Sequence, residues 1–387
     1  MYRRLVLCLL VALLAFSSAR AQTVGAVDSF DTKARQIFLI EADTGTILLA
    51  KNEDEAVPAA SLAKLMTMAV VFNAVKTGEI SLDTRYPVSE HAWRTGGAPS
   101  RTATMFAALK SSVRVEDLIR GATIQTANDA CIILGEGLSG SENAFAERMT
   151  REARALGLTT STFANATGLP DPRNVVTMRE LVALAQHLQR NYPDLYRYYS
   201  EPEFEWNKIR QRNRNPLIAL GIGADGVGLG FSEGHGYAIV ASVNRDGKRL
   251  FLAMAGLESD KQRVEEARRV IDWAMTSFER KTLFKAGEAV ADASVYGGSS
   301  STVPLVTNDD VDVFLPVDNA GKIVARVVYT WPINAPVKPG QEVGVLKIWN
   351  DDRLLREVPV HTAGEIAVGT LRSRALDALQ ELLFFWL

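Results

Sequence analysis

The sequence contains few residues of the types that cross-link exported proteins or bind metals. Of its 387 residues only 2 are cysteine and 4 are histidine. The histidines are His91, His187, His235 and His361. They are scattered without metal-ligand spacing, so we expect no metal site and no other cofactor. Cys8 lies in the first apolar run, and loss of that segment would leave Cys131 alone and exclude an intrachain disulfide.

A charge imbalance is also missing. The formal net charge is −2, and no strong block of like charge interrupts the chain. This balance gives no reason to expect a nucleic-acid partner. The 47% apolar content and the length indicate two folded domains with buried cores.

The first 21 residues have the pattern of an export signal. Arg3 and Arg4 precede an apolar run from Leu5 to Phe16, and Ala19-Arg20-Ala21 follows as a small-x-small cleavage site. The alternative is a membrane anchor, but the run is shorter than the roughly 20 residues that span a bilayer. We therefore predict a signal peptide at residues 1–21 and an exported protein.

Two hairpins and several helices organise the next 250 residues. The run Ala34–Lys51 is broken by Asp43-Thr44-Gly45, and a later hairpin pairs Gly236–Val243 with Arg249–Leu257. Between them the apolar spacing predicts helices, followed by another from Ser259 to about Arg280. The helices between the hairpins are predicted at Ser61–Val75, Val115–Gly135 and Ala144–Ala155. The pattern predicts one mixed α/β domain, roughly residues 25–278, whose sheet is closed by both ends of the segment.

The remaining chain changes character. Short β-type segments punctuated by glycine and proline predict a small all-β domain at residues 287–367. Residues 370–387 place Leu371, Leu379 and Trp386 on one helical face. This tail either docks on its own protein or lies as an amphipathic helix in a membrane interface, and the apolar chain end favours the membrane.

Ser61-Leu62-Ala63-Lys64 is the first group of residues with a chemical interpretation. Three-residue spacing at a helix start places the hydroxyl and the amine on one face. A buried lysine with a lowered pKa can act as the base for a serine nucleophile, and the helix N-terminus favours developing negative charge. Alone, this pattern is common by chance.

A second polar group, Thr126-Ala127-Asn128, occurs inside a segment that otherwise reads as an apolar helix. A helix cap or a satisfied buried polar group is the alternative to a functional role. The order of a Ser-x-x-Lys helix, a hydroxyl-x-Asn element and a C-terminal hairpin resembles the penicillin-binding protein and β-lactamase superfamily.

Within that superfamily the chain is similar to the low-molecular-mass penicillin-binding proteins that act as D-alanyl-D-alanine carboxypeptidases. The resemblance extends over nearly the whole chain after the signal segment. It rests on Ala59–Thr67, Asn128–Ala130, Gly168–Asp171, Asn213–Pro216, Gly223–Gly226 and the β domain with its amphipathic tail.

The resemblance implies an antiparallel sheet flanked by helices, with a helical subdomain. It also implies that Ser61 is acylated, that Lys64 is its base and that Asn128 positions substrate and lysine. The substrate would be a peptidoglycan stem peptide, β-lactam antibiotics would be ligands, and no cofactor would be needed. The protein would reside in the periplasm, peripheral on the outer face of the cytoplasmic membrane.

Two positions depart from the family pattern. Thr126 stands where the middle motif usually has serine, and its β-branch restricts the rotamer. The third motif, normally Lys-Thr-Gly, reads Gly228-Leu229-Gly230, followed by Phe231. Both side chains expected to bind the substrate carboxylate are therefore missing. Their role falls to another group, and the candidates are Arg212, Arg214 and Ser232.

Other features of this strand keep a substrate-binding role open. Gly230 would let a substrate backbone approach the strand, and the Phe231 N–H would complete an oxyanion hole by family analogy. The tripeptide Lys76-Thr77-Gly78 has the family's third-motif sequence, but it lies just after the helix of Ser61. We interpret it as the end of that helix and not as the third motif.

Two alternatives to the carboxypeptidase remain. The first is a catalytically silent peptidoglycan-binding or regulatory protein that retains the fold. The second is a secreted β-lactamase, which the additional β domain and tail disfavour.

Overall fold

The computed structural model describes residues 30–317, 321–351 and 353–371. The predicted signal peptide and nearly all of the predicted C-terminal helix lie outside these residues. Among the described helices none is long and apolar enough to cross a membrane.

The larger, N-terminal part of the described chain contains eleven strands and nine α-helices. The strands are β1 (Gln36–Glu41), β2 (Ile47–Lys51), β3 (Val57–Pro58), β4 (Arg85–Pro87), β5 (Ser112–Arg114), β6 (Val175–Val176), β7 (Glu203–Trp206), β8 (Ile209–Arg212), β9 (Ala224–Ser232), β10 (Gly236–Arg245) and β11 (Lys248–Leu257). The helices are α1 (Lys64–Lys76), α2 (Glu90–Thr95), α3 (Val115–Ile124), α4 (Asn128–Ser139), α5 (Glu142–Ala155), α6 (Met178–Asn191), α7 (Pro193–Tyr196), α8 (Pro216–Ala219) and α9 (Asp260–Ser277).

A five-stranded sheet in the order β2-β1-β11-β10-β9 separates two cores. The strands pair antiparallel throughout. In β1, Phe38 and Ile40 face the core that contains α1 and α6, whereas Ile37 and Leu39 face the core that contains α9. Burial on both faces explains why this strand is a continuous apolar run rather than an alternating one.

Both predicted hairpins are present. Gly45 closes the first turn at φ +69°, and the buried Glu41 carboxylate accepts hydrogen bonds from the backbone N–H groups of Asp43 and Thr44. In the second turn Asp246 and Gly247 both have positive φ, as a two-residue type I′ turn requires.

Two predicted helices are wrong in extent. The helix predicted at Val115–Gly135 is two helices, because Thr126 has φ +54° and Ala127 is extended. The helix predicted to reach Arg280 ends at Ser277, since Phe278 begins a strand. Ser61 itself lies in a single 3₁₀ turn, Ala60–Ala63, immediately before α1.

From Phe278 to Thr362 the described chain is built of strands. They are β12 (Phe278–Phe284), β13 (Ala289–Tyr296), β14 (Thr302–Val306), β15 (Val311–Pro316), β16 (Ile323–Tyr329), β17 (Ile333–Asn334), β18 (Glu342–Asn350) and β19 (Arg353–Thr362). They form a six-stranded sheet in the order β16-β18-β19-β14-β13-β17 and a two-stranded sheet of β12 and β15. The Arg280 guanidinium contacts the Asp43 carboxylate at 2.5 Å, and Phe314 packs into the α9 core, so the two parts share an interface.

Candidate active site

Ser61 and Lys64 meet where the 3₁₀ turn enters α1. The Lys64 Nζ atom lies 3.0 Å from Ser61 Oγ. Ser61 is partly exposed, whereas Lys64 is buried with 4% of its surface accessible. The pair therefore combines a hydroxyl that solvent can reach with an amine held away from water.

The environment of Lys64 alters its acidity. Burial, which penalises the ammonium, lowers the pKa of Lys64 from 10.5 to about 8. The nearby Cys131 opposes this change and the Arg214 guanidinium adds to it. A pKa near 8 leaves a useful fraction of neutral amine at physiological pH, which a general base requires.

A backbone carbonyl that sequence reasoning missed fixes the Lys64 amine. Lys64 Nζ donates to the Thr167 carbonyl at 2.7 Å. Asn165 Oδ1 holds this turn by accepting from Thr167 N at 3.2 Å, Thr167 Oγ1 at 3.0 Å and Gly168 N at 2.7 Å. The only signal in the sequence was Gly168, which belonged to one of the segments that carry the family resemblance.

Gly168 also sets the position of the 3₁₀ turn Ala60–Ala63, which carries the candidate nucleophile Ser61 and is called the nucleophile turn below. It has φ +75°, and a Cβ added to it would lie 1.6 Å from the Ala60 carbonyl oxygen. No side chain fits at that distance, so glycine is required both by the backbone conformation and by the close approach. The turn that holds the lysine thus packs directly on the residue before Ser61.

The middle motif lies at the break between α3 and α4. Asn128 is the first residue of α4, and its Nδ2 donates to Thr102 Oγ1 at 3.0 Å. Its Oδ1 is buried and accepts no hydrogen bond from the described residues. Thr126 is partly exposed. An unused buried acceptor costs stability unless a ligand uses it, which is consistent with a role in substrate binding.

The neighbouring Asp129 anchors this region. Its buried carboxylate accepts from Thr104 Oγ1 at 2.6 Å and from the backbone N–H groups of Met105 and Ala107, both at 3.0 Å. Burial nevertheless raises the pKa of Asp129. The carboxylate ties the segment around Thr102 to α4, so Asn128 is held from both sides.

The third motif occupies β9, the edge strand of the sheet. A Cβ on Gly228 would lie 3.0 Å from Leu65 Cδ1, and one on Gly230 would lie 3.2 Å from Leu62 Cγ. These two positions therefore face the nucleophile turn and α1. Leu229 packs on the opposite face in the α9 core. Phe231 is 56% exposed, and its ring contacts that of Tyr237 in a tilted arrangement, with centroids 4.7 Å apart.

The three candidates for carboxylate recognition occupy different elements. Arg214 is exposed, yet lies near enough to Lys64 to lower its pKa, and its backbone N–H donates to the Ile124 carbonyl at 2.9 Å. Arg212 lies on β8 opposite Glu203. Ser232 lies at the far end of β9. Of these three candidates, Arg214 alone contributes to the lowered pKa of Lys64.

Within the described residues, the other features considered from the sequence form no second site. Cys131 is buried, and burial raises the pKa of its thiol to about 12. Lys76 and Thr77 end α1, and Gly78 follows with φ +76°, as expected for a helix C-terminus. Within the described residues no group of acidic, histidine or cysteine side chains could hold a metal ion.

Comparison with known proteins agrees with this geometry. Residues 21–258 match the family described as D-alanyl-D-alanine carboxypeptidase, and residues 278–367 match the C-terminal domain of penicillin-binding protein 5. The D-alanyl-D-alanine carboxypeptidase DacC of Escherichia coli (strain K12) is 32% identical over 354 residues, which cover 91% of this chain and 88% of that protein.

Solved structures confirm the predicted fold class, a transpeptidase-like domain followed by a small all-β domain. Penicillin-binding protein 5 from Haemophilus influenzae superimposes with a TM-score of 0.78 at 30% identity, covering 88% of this chain and all of that one. Penicillin-binding protein D2 from Listeria monocytogenes, in a cefotaxime-bound form, gives a TM-score of 0.56 at 26% identity, covering 62% of this chain and 97% of that chain. The chain belongs to the D-alanyl-D-alanine carboxypeptidase family.

Proposed function

We propose that this protein is a serine-type D-alanyl-D-alanine carboxypeptidase that removes the terminal D-alanine of peptidoglycan stem peptides. The observation that carries the proposal is the 3.0 Å contact between Ser61 Oγ and a buried Lys64 whose pKa is lowered to about 8. Burying a lysine costs free energy, and perturbed lysines concentrate at functional sites.

The chemistry follows from the contacts of Lys64. When neutral, its amine donates one N–H to the Thr167 carbonyl and directs its lone pair at the Ser61 hydroxyl. Ser61 Oγ then attacks the carbonyl carbon of the penultimate D-alanine while its proton passes to Lys64. The C–N bond breaks, the leaving D-alanine takes a proton, and water hydrolyses the ester to release the shortened peptide and regenerate Ser61.

Substrate recognition is assigned to both sides of the nucleophile. The N–H groups of Ser61 and Phe231 would form the oxyanion hole, and the free Oδ1 of Asn128 would accept a hydrogen bond from the substrate backbone. Thr126 contributes its hydroxyl beside Asn128. Gly228, Leu229 and Gly230 supply strand backbone rather than charge.

Arg214 is our choice for the substrate carboxylate. It supplies a cationic side chain where Gly228 offers none, and its contribution to the lowered pKa of Lys64 indicates that its charge lies near the reacting atoms. A planar guanidinium can bind a carboxylate through two hydrogen bonds. A charge at Arg214 would let the enzyme bind the substrate carboxylate although its third motif lacks lysine.

The silent binding protein fits the geometry less well. A binding protein needs no lysine whose neutral form is stabilised beside an accessible serine. Burial of Lys64, and an Asn128 Oδ1 without a partner among the described residues, would then destabilise the fold without serving a function. The family's carboxypeptidase relatives support the enzyme rather than this alternative.

We further propose that β-lactams acylate Ser61, in line with the cefotaxime-bound form of the Listeria protein. Export to the periplasm and attachment to the membrane surface through residues 370–387 complete the proposal. The support for these is the sequence pattern of both chain ends.

The direct test uses the purified protein beside a Ser61→Ala control. Each is incubated with a fluorescent penicillin and, separately, with a pentapeptide ending in D-Ala-D-Ala. We expect covalent labelling of Ser61 and release of free D-alanine, both absent from the control. Labelling of Ser61 without release of D-alanine would reject hydrolysis as the main reaction. The absence of both labelling and release would favour the silent binding protein.

A further inference from the structure

A small cavity lies at the carboxyl end of β9, outside the Ser61–Lys64 pair. Its volume is about 260 Å³. This is below the roughly 300 to 1,000 Å³ of pockets that enclose drug-sized ligands, so the cavity is suited to one small chemical group. Its walls come from the start of β1, from β3 and the residues before it, from the turn between β9 and β10, and from the end of β11.

The cavity presents charges of both signs. The Arg35 guanidinium makes no ion pair with any residue that the structure describes, and its methylene stem packs on Gly256, where a Cβ would lie 2.6 Å from Arg35 Cβ. Glu55 accepts one hydrogen bond, at 2.8 Å, from Nε2 of the buried Gln36. The Ser232 hydroxyl also lines the opening. A cation and a carboxylate at one small opening match a ligand that itself carries both charges.

The chain connects this cavity directly to the nucleophile. Pro58, in one wall, precedes Ser61 by three residues. Ser232, in another, follows Gly230, whose Cβ position lies 3.5 Å from Ala60 Cβ. Two residues of strand span about 6.6 Å. A peptide bound at Ser61 therefore reaches the cavity within one or two of its own residues.

The direction of the bound peptide follows from Arg214. The residue before it, Asn213, donates its Nδ2 to the Tyr199 carbonyl at 2.9 Å, and Tyr199 Cβ lies 3.4 Å from the Cβ position of Gly226. Gly226 is near the amino end of β9, whereas Ser232, in the cavity wall, is at the carboxyl end of the strand. A substrate whose terminal carboxylate binds Arg214 and whose scissile carbonyl lies at Ser61 extends its upstream residues along β9 towards Ser232. The part of the substrate that remains on the enzyme as the acyl group is thus the part that meets the cavity.

We propose that the cavity binds a zwitterionic amino-acid group on the acyl part of the substrate, as the far end of diaminopimelate provides. Arg35 binds its carboxylate, and Glu55, held by Gln36, binds its ammonium. The proposal rests on the carboxypeptidase function and adds a preference for one class of stem peptide.

The test compares three peptides that end in D-Ala-D-Ala and differ only in the residue before them: diaminopimelate, lysine or norleucine. The native protein should prefer the diaminopimelate peptide over the norleucine peptide in kcat/KM. Arg35→Gln and Glu55→Gln should each reduce that preference about tenfold, as expected for a lost charged hydrogen bond. Lys33→Gln, which removes an exposed charge outside the cavity, should preserve it. Equal kcat/KM for the three peptides, or equal losses on all of them, would overturn the proposal.

A binding experiment separates this proposal from the catalytic one. Calorimetry with the Ser61→Ala protein measures affinity for the same peptides without turnover. If native protein releases no D-alanine but the Arg35-dependent preference persists in binding, hydrolysis is refuted and the cavity assignment stands. If binding shows no preference for the zwitterionic peptide, the cavity assignment is refuted whatever the turnover.

Discussion

The nucleophile turn and the β9 strand, which face each other across the site, are built in opposite ways. Around Ser61 and Lys64 the polar groups are held by specific partners, and even the Thr167 backbone carbonyl is fixed by Asn165. On β9 the positions that face this turn are Gly228 and Gly230, which have no side chain. The groups of the proposed chemical step are therefore strongly preorganised, whereas the facing positions of the strand offer no side chain for charge recognition. The predictions below test that division.

The largest loss should come from the nucleophile side. Lys64→Met keeps a long apolar stem but removes the base, so acylation by penicillin and release of D-alanine should fall about 10²- to 10⁴-fold. Lys76→Met, at the exposed end of the same helix, is the matched control and should retain activity. If both variants lose activity to a similar extent, the loss reflects a general effect on α1 and not removal of the base.

Gly168→Ala should cause a loss nearly as large. The added methyl group would lie 1.6 Å from the Ala60 carbonyl, so the Thr167 turn and the Ser61 turn must separate. Gly157→Ala is the control, since Gly157 has a similar φ of +81° with nothing within 4 Å of its Cβ position. Both variants incur backbone strain of about 1 to 3 kcal/mol, but only Gly168→Ala should strongly slow acylation below its melting temperature. Equal activities would exclude the positioning role.

Removal of the Arg214 charge should have an intermediate effect. Arg214→Gln should lower kcat/KM for the pentapeptide about ten- to a hundredfold, because a charged hydrogen bond to the substrate carboxylate is lost. It should also raise the pKa of Lys64, since Arg214 lowers it in the native protein. Arg212→Gln removes the same charge from a nearby strand. If that variant loses as much activity, carboxylate binding cannot be assigned to Arg214.

The pH dependence of acylation should report on Lys64. The base acts in its neutral form, and its pKa is lowered to about 8, so the rate should rise as pH increases through 8. The gain between pH 7 and pH 9 should be about tenfold before it levels off. Stopped-flow acylation with a penicillin measures it. A rate that still rises towards pH 10 would mean that burial does not lower this pKa.

The same comparison shows which parts of the site the sequence could predict. The Ser61–Lys64 contact follows from local helix geometry, and the hairpin at Asp246 and Gly247 follows from turn residues. The interruption between α3 and α4, just before Asn128, contains no glycine or proline that would predict it. It depends on tertiary contacts, among them a 2.7 Å hydrogen bond from Asn128 N to the Ala103 carbonyl. The Thr167 acceptor is a backbone atom 103 residues from Lys64, so no side-chain motif marks it.

The smallest expected effect is that of restoring the family's third motif. Gly228→Lys together with Leu229→Thr returns the missing side chains, and a large gain in turnover would mean that the native site is crippled. We expect a gain below about tenfold. A Cβ at Gly228 would already lie 3.0 Å from Leu65 Cδ1, so the lysine stem must displace Leu65, and Leu229→Thr removes apolar contact from the α9 core. Adding Leu65→Ala to this double variant makes room for the methylene stem of the new lysine. If that triple variant still gains nothing on the pentapeptide, Arg214 already supplies the charge that the strand lacks.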